Sequence, residues 1–257
     1  MPGIALVSIL KAIALLGSGL TAVRLFHNGL YRRYRVFFAY VIFRVPNGIW
    51  PFFLDTRSAQ YLHFWIFTEA VLWVFYILLG LELYRLVLEK YKGIYTLGRG
   101  FLYVGVIVAV SVAVATLIPK INPQTPQRSL ILPYFFAVER GIDLSLMIFI
   151  VLLLGFLAVF HVPLSRNVRI HAAVYSVYFL SNTVVFLLRS LFGLHLGDQV
   201  NMVLMATSSA CIVAWLFLLN PEGESLLPPR PSASPLEEER ILVHLDALNR
   251  TLMRAAR

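Results

Sequence analysis

The sequence predicts an all-α polytopic membrane protein. It reads as a seven-transmembrane-helix bundle with the amino terminus outside and the carboxyl terminus in the cytoplasm, plus a C-terminal cytoplasmic amphipathic helix. Three observations predict it. The first is composition: 59% of the residues are hydrophobic and only 14% charged, with a mean hydropathy of +0.78, so polar side chains are too few to cover a soluble surface. The second is the presence of seven apolar stretches, of the order of the ~20 residues that cross a bilayer. The third is the alternation of basic residues between the connecting loops.

The apolar stretches run over 3–23, 36–54, 61–81, 101–118, 132–160, 170–188 and 200–219. The first lacks a basic leader and is interrupted by Lys11, which fits an uncleaved helix better than a signal peptide. The fourth is the most uniformly apolar. The fifth is too long for one simple span; its strictly apolar part starts near Leu144, which leaves Glu139, Arg140 and Asp143 near a membrane boundary. Aromatic residues near the segment ends (Tyr31, Tyr34, Phe37, Phe52, Phe53, Tyr61 and Trp65) suit interfacial belts.

Orientation follows from lysine and arginine in short loops. The first loop carries Arg24, Arg32, Arg33 and Arg35, the third Arg85, Lys90, Lys92 and Arg99, the fifth Arg166 and Arg169, and the tail Arg230, Arg240, Arg250, Arg254 and Arg257. The even loops hold only Arg57, Lys120, Arg128 and Arg189. The odd loops are therefore expected in the cytoplasm, and the natural setting is a bacterial-type cytoplasmic (inner) membrane. Topology alone accounts for the net charge of +9, so no nucleic-acid partner is expected; the lipid bilayer is the main one.

Ionisable residues at membrane depth are costly and mark candidate sites. Lys11, Arg44 and Glu69 stand out in segments one to three. Arg44 lies 13 residues before Arg57, at the tip of the hairpin joining segments two and three, and Glu69 lies 12 after it. At about 1.5 Å rise per residue the two fall at similar depth, which predicts an Arg44–Glu69 ion pair with Lys11 as a third member. Such a pair either binds a polar group or locks two helices together. Pro46, Gly48 and Pro51 predict a break in the second helix, because proline removes a backbone donor and clashes with the carbonyl four residues earlier. Unpaired backbone at that depth must face protein or water. A broken helix beside the charges, with Asn47, Trp50 and His63 at the same level, predicts an outward-opening pocket, and Glu139 and Asp143 share a helix face that can line its mouth. A simple proline kink is the alternative. Polar residues in segments six and seven, including Tyr175, Tyr178, Asn182, Ser208 and Ser209, are read as helix-packing glue, and Gly17-Ser18-Gly19 as a close-packing patch.

No catalytic signature is present: no HExxH, no GxSxG and no Walker loop. The histidines, among them His27, His161, His171 and His195, are not at metal-ligand spacing, and the seventh segment has no lysine for a retinal Schiff base. The expectation is a non-enzyme with no metal and no cofactor. The lone Cys211 implies no disulfide.

Composition divides the chain into a membrane domain over 1–219, a Pro-rich linker over 220–235 and a tail helix over 236–257. Ser234, Pro235 and Glu237 supply helix-starting chemistry. Ile241, Leu245, Leu248 and Leu252 form a short apolar seam at heptad spacing, through which the tail either self-associates or meets a cytoplasmic signalling partner. The run from Leu245 to Arg250 resembles the helices that join a membrane sensor to its output domain in bacterial receptors. The functional expectation is a receptor-like, sensory module that binds a small ligand and signals through its tail. The alternatives are a small-solute carrier with a parallel 3+1+3 helix arrangement and an accessory subunit of a membrane complex.

Overall fold

The structure, a computed structural model, describes residues 2–50, 53, 58–88, 92–115, 127–160, 164–192, 197–224, 243, 247 and 250. Among these there are seven α-helices and no strand: α1 (Pro2–His27), α2 (Arg35–Ile49), α3 (Ala59–Val87), α4 (Lys92–Ala115), α5 (Gln127–Phe160), α6 (Arg166–Phe192) and α7 (Gly197–Leu218). Each falls on one of the seven apolar stretches. Four contain stretches long and apolar enough to cross a membrane, Leu6–His27, Gln60–Val87, Val138–Leu157 and Asn201–Leu218, which points to an integral membrane protein. The outer faces agree. Ile9, Leu16, Leu20 and Val23 of α1 and Val104, Ile107, Val108 and Val112 of α4 are exposed, a cost in water that lipid removes.

Six helices close a ring. α1 packs on α2 and α7, α7 on α6, α6 on α5, α5 on α3, and α3 on α2. α4 lies outside this ring, against α5 and to a lesser extent α3. Glycine sets two of the closest approaches. A Cβ on Gly17 would meet Ile212 Cγ2 at 2.8 Å, and one on Gly141 would meet Val110 Cα at 2.9 Å and the Ala109 carbonyl at 3.1 Å. The expected packing role of the Gly17-Ser18-Gly19 patch therefore holds for α1 on α7. The Ser18 and Thr21 hydroxyls return to the carbonyls of Ala14 and Gly17, so both buried hydroxyls are paired within their own helix.

Three sequence expectations are corrected. α2 does not break at Pro46 or Gly48: the helix is continuous through both to Ile49, and the Trp50 N–H still reaches the Pro46 carbonyl. The proline costs one hydrogen bond at the carbonyl of Ile42, whose side chain is on the exposed face, where the helix can bend slightly without opening. Pro51 lies outside the described residues, as do Phe52, Arg57, Lys120, His161 and His195. Tyr34 and Phe37, assigned above to an interfacial belt, are fully buried in the core. The linker expected from 220 starts instead with a docked 3-10 turn, Pro221–Glu224. Of the tail only Val243, Ala247 and Arg250 are described, each helical and exposed; the seam Ile241, Leu245, Leu248 and Leu252 lies outside the described residues.

The Gly141 contact is with backbone, which cannot swing aside, whereas Gly105 has open space where a Cβ would go. Gly141→Ala is therefore expected to destabilise the protein by about 1–3 kcal/mol through overpacking. Gly105→Ala is expected to stabilise it by about 0.5–1 kcal/mol through helix propensity. Thermal unfolding of the detergent-solubilised chain reads both signs.

Candidate functional site

A cavity of about 370 Å³ opens between α1, α2 and α7 in the half of the ring away from the Arg-rich α1–α2 turn. Its polar lining is Lys11, Arg44, Asn47, Tyr61, Ser208 and Ser209, and its apolar lining includes Leu10, Ala14, Leu15 and Met205. Gly48 also faces it: a Cβ there would meet Leu15 Cδ1 at 3.2 Å, so glycine lets α2 lie close to α1.

Two adjacent serines on α7 fix the level of this site. Ser208 Oγ accepts from both Nη1 and Nη2 of Arg44 at 3.2 Å, and Ser209 Oγ donates to the Leu10 carbonyl at 3.1 Å. Arg44 of α2 and Lys11, the residue after Leu10 on α1, are thereby drawn to the same height on α7. That height is well inside the apolar stretch Asn201–Leu218. Arg44 Nη1 also donates to Tyr40 Oη at 3.0 Å, one turn away on its own helix. Lys11 is exposed and has no hydrogen-bond or ion-pair partner among the described residues. Trp50 Nε1, which can only donate, bonds the Asn47 side-chain carbonyl at 2.8 Å. That fixes the Asn47 amide with its two N–H donors uncommitted among the described residues.

The Arg44–Glu69 ion pair does not form. The guanidinium is held by neutral oxygens of Tyr40 and Ser208, and Glu69 of α3 lies within electrostatic reach of Arg44 without contact. Equal depth was sound reasoning about height but silent about direction around the helix axis: Arg44 shares the Tyr40 face of α2 and points across to α7. Lys11 accordingly joins Arg44 at the cavity and makes no triad with Glu69. Glu69 is instead electrostatically coupled to Asp143 of α5, which is buried with Oδ1 unpartnered among the described residues. Of the expected pocket residues, the cavity gathers Arg44 and Asn47, and Lys11, expected only in the ion pair, lines it with them. Glu69, Glu139 and Asp143 do not line it, nor does His63, which is exposed on α3. Trp50 acts from behind Asn47, packed on Tyr61 and Phe64 at ring distances of 4.9 and 4.6 Å.

Beneath Arg44 the core is filled with rings. The Tyr76 and Tyr178 hydroxyls meet at 2.7 Å. Closer to the Arg-rich end, Phe37 packs on His171 at 4.7 Å and on Trp215 at 4.8 Å, with Tyr175 at 5.0 Å from Trp215. All four of these are buried, an aromatic plug that fills the core between the level of Arg44 and the Arg-rich end.

Below the plug sits a polar knot that the sequence reading missed. Glu82 of α3 accepts from the backbone N–H groups of Val36 and Phe37, both at 2.9 Å, capping the start of α2 with a carboxylate from another helix. Glu224 forms an ion pair with Arg33 at 2.8 Å and accepts from Tyr34 Oη at 2.7 Å and Asn167 Nδ2 at 2.5 Å. Burial, and then the bond to Glu224, push the Tyr34 phenol well above its usual range, so it stays a donor. A Cβ on Gly223 would crowd the Asn167 and Asn220 side-chain amides, which the hydrogen bonds of the knot hold in place. The segment leaving α7 is thus tied to the α1–α2 turn and to the start of α6. The available signals were Glu82, one residue beyond the third apolar stretch, and an acidic Glu-Gly-Glu beside a basic loop.

No protein-family model matches the chain, and no curated protein and no solved structure matches it significantly. The functional reading therefore rests on the site itself.

Removing the Ser208 hydroxyl takes one oxygen from a half-buried charge. Ser208→Ala is expected to lower stability by about 1–3 kcal/mol, whereas Lys11→Gln, at an exposed and unpartnered side chain, should stay within about 0.5 kcal/mol of wild type. Thermal unfolding in detergent distinguishes the two.

Proposed function

We propose that the chain is a seven-span, receptor-like module of a bacterial-type cytoplasmic membrane, with its amino terminus outside and its tail in the cytoplasm. It binds a small ligand in the α1/α2/α7 cavity and passes the occupied state to its tail helix, and from there to a cytoplasmic partner or a second copy. The observation that carries this reading is the cavity's position: α1, α2 and α7 line it at the level of Arg44 and Ser208, and the aromatic plug of Phe37, His171, Tyr175 and Trp215 lies between that level and the Arg-rich end. Two of the helices that line it lead on to the Glu224 knot, α2 through Tyr34 and α7 through Pro221–Glu224. A ligand that shifts α2 against α7 therefore acts on the attachment of the tail. The basic residues at the knot end support the inward placement of that end.

A carrier is the second reading, and one observation favours it: α4 stands outside a ring made of α1–α3 and α5–α7, the placement a parallel 3+1+3 arrangement calls for. One experiment separates the two. Cys211 is buried and Ala247 exposed, so Ala247→Cys accepts a fluorophore selectively. A metabolite that raises the unfolding temperature of the wild type is then added to labelled protein and to proteoliposomes. The receptor reading predicts a change in tail fluorescence with no accumulation of the metabolite; accumulation with an unresponsive tail would establish the carrier instead.

A further inference from the structure

We infer that the α1/α2/α7 cavity is built for an oxyanion carried on a short apolar body, with an organic carboxylate as the closest fit. The inference deepens the receptor reading and rests on it in one respect, that the cavity takes a ligand.

Cationic and amide donors dominate the polar lining of the cavity. Lys11 offers an ammonium with three donors and no partner among the described residues. Arg44 offers a fork whose Nη1 and Nη2 both reach Ser208 Oγ, with Nη1 also on Tyr40 Oη, so only neutral oxygens hold it. Asn47 has no partner for its amide N–H groups among the described residues, because Trp50 holds its carbonyl. Among the described residues no carboxylate lines the cavity. A cationic ligand would meet like charge and find few acceptors. A neutral one would leave Lys11 and Arg44 with no anion in contact among the described residues, Glu69 acting on Arg44 only from a distance, in an apolar span where unpaired charge is expensive. An oxyanion resolves both, and the planar Arg44 fork suits a carboxylate's two oxygens.

The apolar lining supplies the other half of the recognition. Leu10, Ala14, Leu15 and Met205 offer hydrocarbon beside the cations, and a cavity of about 370 Å³ is at the small end of the range that holds compact ligands. A free carboxylate and the phosphate head of an anionic lipid share this chemistry, since Lys11 is exposed on the helix face. The test therefore separates the two sources.

Full-length protein in phosphatidylcholine nanodiscs is titrated with hexanoate, hexylammonium and hexanol while its unfolding temperature is followed. Wild type is compared with Lys11→Gln, chosen because that side chain has no structural partner; Arg44→Lys, which keeps the charge and loses the fork, is the second variant. Hexanoate at saturation is expected to raise the unfolding temperature by about 4 °C or more, the other two probes not at all. Lys11→Gln should weaken hexanoate by at least about tenfold, and Arg44→Lys should weaken it while remaining folded. If phosphatidylglycerol stabilises wild type but not Lys11→Gln and blocks hexanoate, the oxyanion is a lipid's and the inference stands with its source identified. Stabilisation by hexylammonium or hexanol equal to that by hexanoate would overturn the anion assignment and leave the ligand cavity intact. No response to any probe or lipid, with Lys11→Gln indistinguishable from wild type, overturns the inference itself. A metabolite screen that also finds no stabilising compound would remove the receptor reading with it.

Discussion

The arrangement of this bundle depends on where the Arg44 guanidinium goes. A fixed positive charge in the core of a lipid-covered helix ring must find oxygen atoms, and Arg44 finds them on Tyr40 of its own helix and Ser208 of α7. That choice sets the spacing of α2 from α7. The neighbouring Ser209 bonds the Leu10 carbonyl and brings α1 to the same level. The volume enclosed by these three helices is the cavity, and its chemistry follows from the same fact. Because the partners of Arg44 are hydroxyls, its charge is solvated locally but not neutralised by contact. Adding Lys11 and the freed Asn47 amide leaves a concave surface of donors against a hydrocarbon wall.

The Arg-rich end of the bundle solves a different problem, that of the orphan N–H groups at a helix start. Glu82 supplies the cap for α2 from α3, and Glu224 gathers Arg33, Tyr34 and Asn167 around one carboxylate. Both carboxylates tie elements that are distant in sequence, so neither can move without moving a helix end. Between this knot and the cavity lies the aromatic plug, dense and buried. A dense core transmits displacement because it has no slack to absorb it. This gives α2 two physical attachments, Arg44 to the cavity and Tyr34 to the exit of α7.

Much of the helical framework was legible because hydropathy is read along the chain, and each of the seven helices falls on an apolar run. Arg44 and Asn47 were legible as candidates for one pocket, and Lys11 as a conspicuous charge, for the same one-dimensional reason: charge and amide at membrane depth stand out. What the sequence did not reveal was direction. Arg44 and Glu69 share a depth but not a face. Tyr34 and Phe37 look like interfacial aromatics until the ring closes around them. Pro46 suggested a break, yet the helix carries it with its affected carbonyl on the outer side. Ser208 and Ser209 resembled ordinary packing residues, and nothing short of a three-dimensional arrangement distinguishes a serine that glues helices from one that holds an arginine. Glu224 was hidden in a proline-rich stretch that composition alone describes as extended.

Central to this account is the claim that an electropositive, anion-accepting space lies between Lys11 and Arg44. Anomalous diffraction from crystals of the full chain soaked in bromide measures it most directly. The account predicts a bromide peak inside the cavity, close to the Arg44 guanidinium and Ser208 and on the side facing Lys11. Bromide found only at the exposed arginines of the α1–α2 turn, with none beside Arg44, would contradict it.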